Sequence, residues 1–288
     1  MGRVDVAVDH AQADPAVDYD AIAEIFAELT LEASVVVMGV YARDPCARRK
    51  ADRSFVCDAD EKAEAVILAG LAERLPAYPV IAEEAASRGE KPLCGRAFIL
   101  VDPVDGTREF LHRNGEFTIN IALIVDGVPR AGAVYAPAIN QLWMAGLHAY
   151  AVSIEPGAAL PPIERRRLIA VRANPSHGLT ALESRSHADP ETETFLATLP
   201  IAERRCAGSS LKFCAIAEGE ADVYARFGTT MEWDTAAGDA VLRAAGGAVL
   251  DRWGVALLYG KAGEQYRNGP FVAWGDPDTA RGDRREGD

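Results

Sequence analysis

Three stretches of this sequence set carboxylates beside residues that bend or fix the backbone. The densest is Asp102-Pro103-Val104-Asp105-Gly106-Thr107. Two acids stand three residues apart there, at the end of the apolar run Phe98–Asp102. Pro103 restricts the backbone and Gly106 permits a tight turn. Such a loop can aim both acids and one backbone carbonyl into a common space. A hard cation such as magnesium takes oxygen ligands of this kind. The amides of Gly106 and Thr107, opening a short helix over Arg108–Leu111, would then face a phosphate. The second stretch is Glu83-Glu84, closing the apolar run Pro79–Glu83. The third is Trp233-Asp234-Thr235-Ala236-Ala237-Gly238, an acid at the start of a helix of small residues. Each also has a plain structural explanation. Asp105 or Asp234 would serve as a helix cap, and an acidic strand end commonly faces water.

The elements that must hold these acids follow from the apolar pattern. Tyr19–Tyr41 reads as an amphipathic helix, with Ile22, Ile25, Phe26, Leu29 and Val36 near helical spacing. A second helix begins at Asp58 or Asp60 and runs to Leu75, where Pro76 and Pro79 stop it. Phe117–Val125, Arg130–Tyr135 and Asn140–Ala145 are strands at hairpin spacing, with Asp126-Gly127 as a turn. An antiparallel sheet covered by the early helices is expected. Ser153–Arg166 is rich in Pro, Gly and Glu and is the expected boundary between lobes. Beyond it, Arg167–Val171, Ala221–Ala225 and Gly247–Asp251 read as strands, and Pro190–Leu199, Ser209–Ala217 and Thr235–Ala245 as helices. That alternation predicts an α/β second lobe. The expected division is residues 1–152, residues 153–275, and a frayed polar tail over 276–288.

Composition limits the function. The chain has 288 residues, 49% of them hydrophobic, enough for a substantial core. Lysine plus arginine is 30 against 43 aspartate plus glutamate, a formal charge of −13. With no basic block, a nucleic-acid polymer is not the expected partner. An anionic small molecule would need a metal or a few placed cations. The five cysteines are odd in number and none form C-x-x-C, which suits thiols in a reducing compartment. No signal peptide or membrane-length apolar run is visible, so a cytoplasmic location is expected. Trp143, Trp253 and Trp274 are expected in packing. Cys214 is expected to be a buried small residue. His10, His112, His148 and His177 lack metal-ligand spacing and carry no expected role.

Taken together and in order, the three acidic stretches resemble the inositol monophosphatase superfamily of magnesium-dependent, lithium-sensitive phosphatases. That family shows an acidic pair, then D-P-x-D-G-T, then W-D-x-A-A-G. The resemblance spans about Tyr19 to Val272. Within the superfamily, several stretches resemble the CysQ-type 3′(2′),5′-bisphosphate nucleotidases. They are Asp105–Phe110, Arg113-Asn114-Gly115-Glu116-Phe117-Thr118, Ser184–Asp189, Gly208–Cys214 and Tyr224–Gly228. The resemblance implies a layered α/β sandwich of the sugar-phosphatase type, in two close-packed lobes. It also implies a phosphomonoesterase that removes the 3′-phosphate of adenosine 3′,5′-bisphosphate, with the phosphosulfate analogue as a possible second substrate.

The resemblance further assigns residues. Glu83, Asp102 and the Val104 carbonyl would hold one magnesium ion. Asp102, Asp105 and Asp234 would hold a second, and the family uses two or three ions. Paired ions roughly 3.5–4 Å apart stabilise both the attacking and the leaving oxygen of an in-line displacement. Thr107 and an upstream aspartate would orient and deprotonate a water. Asp60 is the positional match, and Asp58 remains open because Cys57 replaces the family's usual threonine. Glu83, Val104, Asp105, Gly106, Thr107 and Asp234 would face the scissile phosphate. Ser209 or Ser210 with Lys212 would contact the second phosphate. Arg226 would serve phosphate or stack on adenine, and Ser186 and His187 would line the nucleoside pocket. Inositol-specific relatives carry an acid seven residues before the W-D aspartate, where this chain has Phe227, an apolar ring better suited to a base. Two alternatives stay open: an inositol or sugar monophosphatase of the same superfamily, and a catalytically silent nucleotide sensor, the latter prompted by Cys57. A monomer and a homodimer both stay open, as do sulfur metabolism and nucleotide clearance as the pathway.

Overall fold

A computed structural model describes residues 17–43, 47–49, 55–185 and 189–280. Ser186 and His187 lie outside the described residues, as does the Cys57 side chain. Chain order runs α1 (Tyr19–Tyr41), β1 (Ala47–Arg49), β2 (Phe55–Cys57), α2 (Asp58–Arg74), β3 (Val80–Ala82), α3 (Glu83–Ser87), β4 (Ala97–Asp105), α4 (Thr107–His112), β5 (Thr118–Val125), β6 (Val128–Ala136), β7 (Gln141–Ala145), β8 (Ala149–Ser153) and β9 (Arg167–Leu168). It continues through β10 (Leu179–Ser184), α5 (Pro190–Leu196), β11 (Ile201–Ala207), α6 (Leu211–Ala217), β12 (Val223–Arg226), β13 (Thr230–Met231), α7 (Glu232–Ala244), β14 (Ala248–Asp251), β15 (Arg267–Asn268), β16 (Phe271–Trp274) and α8 (Pro277–Ala280).

Helix α1 begins where the Asp18 carboxylate accepts the Ala21 N–H at 2.9 Å, satisfying one of the donors left over at a helix start. Its buried face runs through Ile22, Phe26, Leu29, Ala33 and Val37. Helix α2 opens with Asp58, Asp60 and Glu61, acids that suit the positive end of a helix. It buries Ala59, Ala63, Ile67 and Leu71. A Cβ at Gly70 would fall 2.2 Å from a Leu29 methyl, so the absence of a side chain there sets how closely α1 and α2 approach.

The two helices cover one face of a seven-stranded sheet, ordered β3-β4-β5-β6-β7-β8-β9. Its pairings are antiparallel except for β3 with β4. Ile99, Val101, Ile121, Leu123, Ala133 and Tyr135 point to α1 and α2. Phe98, Leu100, Ala122, Ile124, Val134 and Ala136 point the other way, onto α6 and α7. Burial of both faces explains why these strands read as unbroken apolar runs. A five-stranded sheet, ordered β11-β10-β12-β16-β14, covers the far side of α6 and α7 with Leu182, Tyr224, Val249 and Phe271. Its outer face, with Ala181, Val223, Ala225 and Val272, packs on Leu196 of α5. The molecule is therefore a five-layer α-β-α-β-α sandwich, the layered α/β architecture expected from the sequence.

Some elements differ from expectation. The strand expected over Arg167–Val171 shrinks to Arg167–Leu168 and pairs with Tyr150 and Ala151 at the edge of the first sheet. Buried Ile169 then turns the chain inward between the sheets. Strands β8, β10, β11 and β16 were not expected. In the segment reading Ile-Ala-Glu-Arg-Arg-Cys-Ala, β11 is an exposed edge strand whose charges hide any alternation. Part of the tail expected to fray forms α8. Trp143 and Trp274 are buried as expected, but Trp253 stands 78% exposed, with the Arg252 guanidinium near its ring.

Candidate active site

Strand β4 delivers the central acids by breaking its own register. Asp102 pairs with Asn120 and Asp105 with Thr118, so three steps on β4 match two on β5. Pro103 cannot donate to the ladder there. The freed Val104 N–H instead donates to Asp102 Oδ1 at 3.1 Å. Gly106 follows at φ 88°, a backbone conformation that suits glycine. Its carbonyl accepts the Phe110 N–H at 2.9 Å and starts α4. The helix begins at Thr107, one residue earlier than expected.

Thr107 Oγ1 lies 3.4 Å from Asp60 Oδ1 and 3.4 Å from the Val104 carbonyl. Asp60 is buried in the first turn of α2, whereas Asp58 faces solvent and pairs with Lys62 at 3.5 Å. Of the two candidate aspartates, Asp60 is therefore the one beside Thr107. Glu83 opens α3 rather than closing β3. Its neighbour Glu84 is buried, and the Glu84 N–H donates to Glu64 Oε2 at 2.7 Å. Asp234 sits at the third position of α7, where its Oδ2 accepts the Met231 N–H at 2.8 Å. It thus acts as a helix cap and faces the cavity at once.

These acids feel one another. Burial holds the Asp102 carboxyl well above the usual carboxylate range, and Glu83, Asp105, Asp234 and Asp60 push it further. Burial, then Asp105 and Glu83, do the same to Asp234. Burial raises Asp105, but the Ser209 hydroxyl and the Lys212 charge pull it back. Like charges crowded in a low-dielectric space favour protonation or a bound cation. The donors are all oxygen, without histidine or thiolate, which fits magnesium better than zinc or copper. Among the described residues, no three such side chains are closed into a ready-made metal cage. Instead Asp105 Oδ2 accepts from Ser209 Oγ at 2.6 Å and from Ser210 Oγ at 3.3 Å.

A cavity of about 260 Å³ opens onto this cluster. Of the residues singled out in the sequence, Glu83, Asp105, Gly106, Thr107, Ser209, Lys212, Arg226 and Asp234 line it. Asp60, Asp102, Val104 and Ser210 are buried and not on its wall. The lining also holds Arg108, Glu109, Ser184, Gly208, Tyr224, Thr229 and Thr230, which sequence reasoning missed as site residues. Glu109 had a visible signal, an acid one turn beyond Gly106.

Several positions have surroundings that the sequence did not show. Ser209 or Ser210 was expected to contact a phosphate, and both hydroxyls are engaged with Asp105. Ser210 Oγ also lies 2.9 Å from the Asp234 carbonyl and accepts from Asn120 Nδ2 at 3.0 Å. Thr118 bonds to the Ser209 hydroxyl and donates to Asn120 Oδ1 at 2.9 Å. A buried polar chain from β5 therefore supports the acids. Thr118 and Asn120 are alternate polar residues in an apolar strand, a signal that went unread. Lys212, expected to contact the second phosphate, lines the cavity and is buried over the Tyr224 ring at 4.9 Å. Its Nζ donates to the Ser209 carbonyl at 2.7 Å and the Ala207 carbonyl at 3.1 Å. Burial lowers its pKa to about 8, against the raising influence of Asp105. Phe227 is not in the lining, and its ring packs on Phe195 with centroids 5.4 Å apart.

A bulged strand presenting acids between two sheets, with further acids from α2, α3 and α7, is the plan of a phosphatase sandwich. The Inositol monophosphatase family profile matches residues 18–273, and the chain belongs to that family. It is 44% identical over 235 residues to the 3′(2′),5′-bisphosphate nucleotidase CysQ of Escherichia coli O157:H7, covering 81% of this chain and 91% of that one. The CysQ nucleotidase of Shigella flexneri is 46% identical over 211 residues, 73% of this chain and 81% of that protein. Among solved structures, CysQ from Bacteroides thetaiotaomicron superposes with a TM-score of 0.75 at 38% identity, covering 89% of this chain and 97% of that one. An IMPase of Thermotoga maritima shares the fold with a TM-score of 0.71 at 21% identity, covering 91% and 94%.

Proposed function

We propose that this chain hydrolyses the 3′-phosphate of adenosine 3′,5′-bisphosphate, with magnesium, to AMP and inorganic phosphate. The carrying observation is that one cavity holds acids of the cluster together with three cations, Arg108, Lys212 and Arg226. A bisphosphate offers two anionic groups, one for each kind of surroundings. The phosphosulfate analogue carries the same 3′-ester and falls under the same reading. The chain's likeness to the CysQ nucleotidases supports the nucleotide over a sugar phosphate.

In this reading Glu83, Asp102 and the Val104 carbonyl would hold one ion, and Asp102, Asp105 and Asp234 would hold a second. Magnesium held there would supply charge neutralisation for the phosphoryl group and favour ionisation of the attacking water. The protein's own residues position and move protons. Thr107 accepts from and orients the attacking water, and Asp60, within reach of Thr107, takes its proton. The water oxygen joins phosphorus as the bond to the ribose 3′-oxygen breaks, that oxygen takes up a proton from solvent, and Asp60 returns its proton to solvent before the next turnover. Asn120, Ser209 and Ser210 hold the acids against their mutual repulsion. Lys212 and Arg226 supply positive charge for the 5′-phosphate and the nucleoside.

Phosphate release from the bisphosphate, inositol 1-phosphate and fructose 1,6-bisphosphate, each with magnesium, tests the reading. The nucleotide should be strongly preferred, and a preference for either sugar phosphate overturns it. Replacing Arg226 by Ala should raise KM selectively for the bisphosphate while sparing a monophosphate substrate.

A further inference from the structure

Glu116 belongs to no helix or strand, yet it joins three separate segments of the site. The Asn114 side chain accepts the Glu116 N–H at 2.9 Å and fixes the turn between α4 and β5. Glu116 Oε2 accepts the Gly208 N–H at 2.8 Å and the Arg185 Nε–H at 2.7 Å. Glu116 Oε1 accepts from Arg185 Nη2 at 2.7 Å, completing a two-bond fork. The same guanidinium donates to the Cys206 carbonyl at 3.2 Å. A turn of the first sheet is thereby tied to the ends of β10 and β11 in the second.

The Gly208 contact is tight on every side. A Cβ there would lie 2.6 Å from the Glu116 carbonyl and 2.9 Å from Glu109 Cγ. The next residue, Ser209, has φ 51°, which non-glycine residues seldom adopt. Such backbone persists only where its surroundings fix it. Ser209 then donates its hydroxyl to Asp105 Oδ2 at 2.6 Å. A direct line of contacts thus runs from Glu116 through the Gly208 amide and the left-handed Ser209 to one acid of the cluster.

We infer that Glu116 is a positioning residue that clasps Gly208, holds Ser209 in its left-handed conformation and so sets Asp105 for cation binding. The cation step of this inference rests on the magnesium-dependent reading above. Glu116 is not among the residues that line the cavity. It acts by fixing the backbone that supports a ligand, which is how supporting side chains tune metal sites. The bond to the amide matters more than the charge, so a neutral amide side chain of equal length preserves it.

The test compares Glu116→Ala and Glu116→Gln in the full chain. Amide hydrogen exchange reads Gly208 and Ser209 directly, and calorimetric titration with magnesium alone reads the acidic cluster. Glu116→Ala should speed exchange at both amides and weaken magnesium binding about 10- to 100-fold. Glu116→Gln should restore both, because its amide oxygen still accepts the Gly208 N–H. If the alanine variant does not fold, Glu116→Asp, whose carboxylate falls short of Gly208, is read the same way. Unchanged exchange at Gly208 and Ser209 overturns the clasp. Faster exchange with unchanged magnesium affinity overturns its coupling to Asp105. An unaltered protein that binds magnesium but leaves the nucleotide intact sinks the functional reading and leaves the Glu116 result standing.

Discussion

Glu83, Asp102, Asp105 and Asp234 bring like charge to one place, and without a cation that arrangement costs stability. Asp102 and Asp234 are held above the usual carboxylate range by burial and by their acidic neighbours. Replacing Asp234 by Asn removes one of those charges with little change of shape. Turnover should fall by about 10²- to 10³-fold or more, on the scale of losing one preorganised charge-stabilising group. The metal-free variant should melt higher than the unaltered protein in a thermal scan, because repulsion is relieved. A variant that melts lower and keeps near-normal turnover would remove Asp234 from the site. Lys212 gives a pH prediction. Its pKa is lowered to about 8, below its unfolded value. The folded state therefore releases its proton first as pH rises. The burial penalty is full below about pH 8 and fades as pH climbs toward the unfolded pKa near 10.4, so this lysine's contribution makes the fold more stable with rising pH across that window. Binding runs the other way. The positive charge offered to the nucleotide fades above about pH 8, so KM for the bisphosphate should rise there, and Lys212→Met should flatten that profile. The acids of the three stretches were legible in the sequence from their types and spacing, and Thr107 and Asp60 were marked by the family resemblance. The engagement of Ser209, Ser210 and Lys212 was not, because it depends on which residues of a distant strand, Thr118 and Asn120, face them.

The elements matter because they bring the acids close while keeping their backbones apart. Strand β4 does this by its bulge, α4 by starting at a left-handed glycine, and α7 by lying close against β5, β6 and α6. Glycine sets that last approach at two places. A Cβ on Gly132 of β6 would fall 2.8 Å from Ala240 Cβ and 3.0 Å from the Ala237 carbonyl. A Cβ on Gly238 of α7 would fall 2.6 Å from the Phe213 ring. Gly132→Ala should destabilise by about 1–3 kcal/mol through overpacking. Each kcal/mol lowers Tm by about 2–4 °C in a large single domain, measurable by calorimetry. An unchanged Tm would mean that α7 can shift outward freely. Helix α1 was readable from its apolar residues at helical spacing, and α2 from Asp58 or Asp60 as a start ahead of its apolar residues and from the prolines that stop it. The buried strands of the first sheet were readable as apolar runs. Strands β10 and β11 escaped because the first mixes Thr180, Glu183 and Ser184 with its apolar residues and the second is an edge strand of exposed Glu203, Arg204 and Arg205. Their place is set by pairing partners far away in the chain.

At the scale of the molecule, five layers bury two sheets and leave the cavity where both meet the central helices. The protein carries a formal charge of −13, and part of that charge is concentrated at the site. Divalent cations should therefore stabilise the whole fold by binding the native state alone. The sign with pH follows from the raised carboxyls. Between their ordinary and folded pKa values the native state binds more protons than the unfolded chain, so the metal-free fold loses stability as pH rises through that window. Magnesium must displace those protons. The rise in Tm on adding saturating magnesium should accordingly be larger near neutral pH than near about pH 5. Equal rises at both would argue against carboxylate ligands. No helix among the described residues is long and apolar enough to cross a membrane.

The sharpest test is to turn over adenosine 3′,5′-bisphosphate in ¹⁸O-labelled water and follow the products by phosphorus NMR, with magnesium and then with a chelator. Water attack at the 3′-phosphorus predicts AMP and inorganic phosphate that carries the label, with no reaction once the metal is removed. Release of adenosine 3′-phosphate instead, or turnover undiminished by the chelator, would contradict the account.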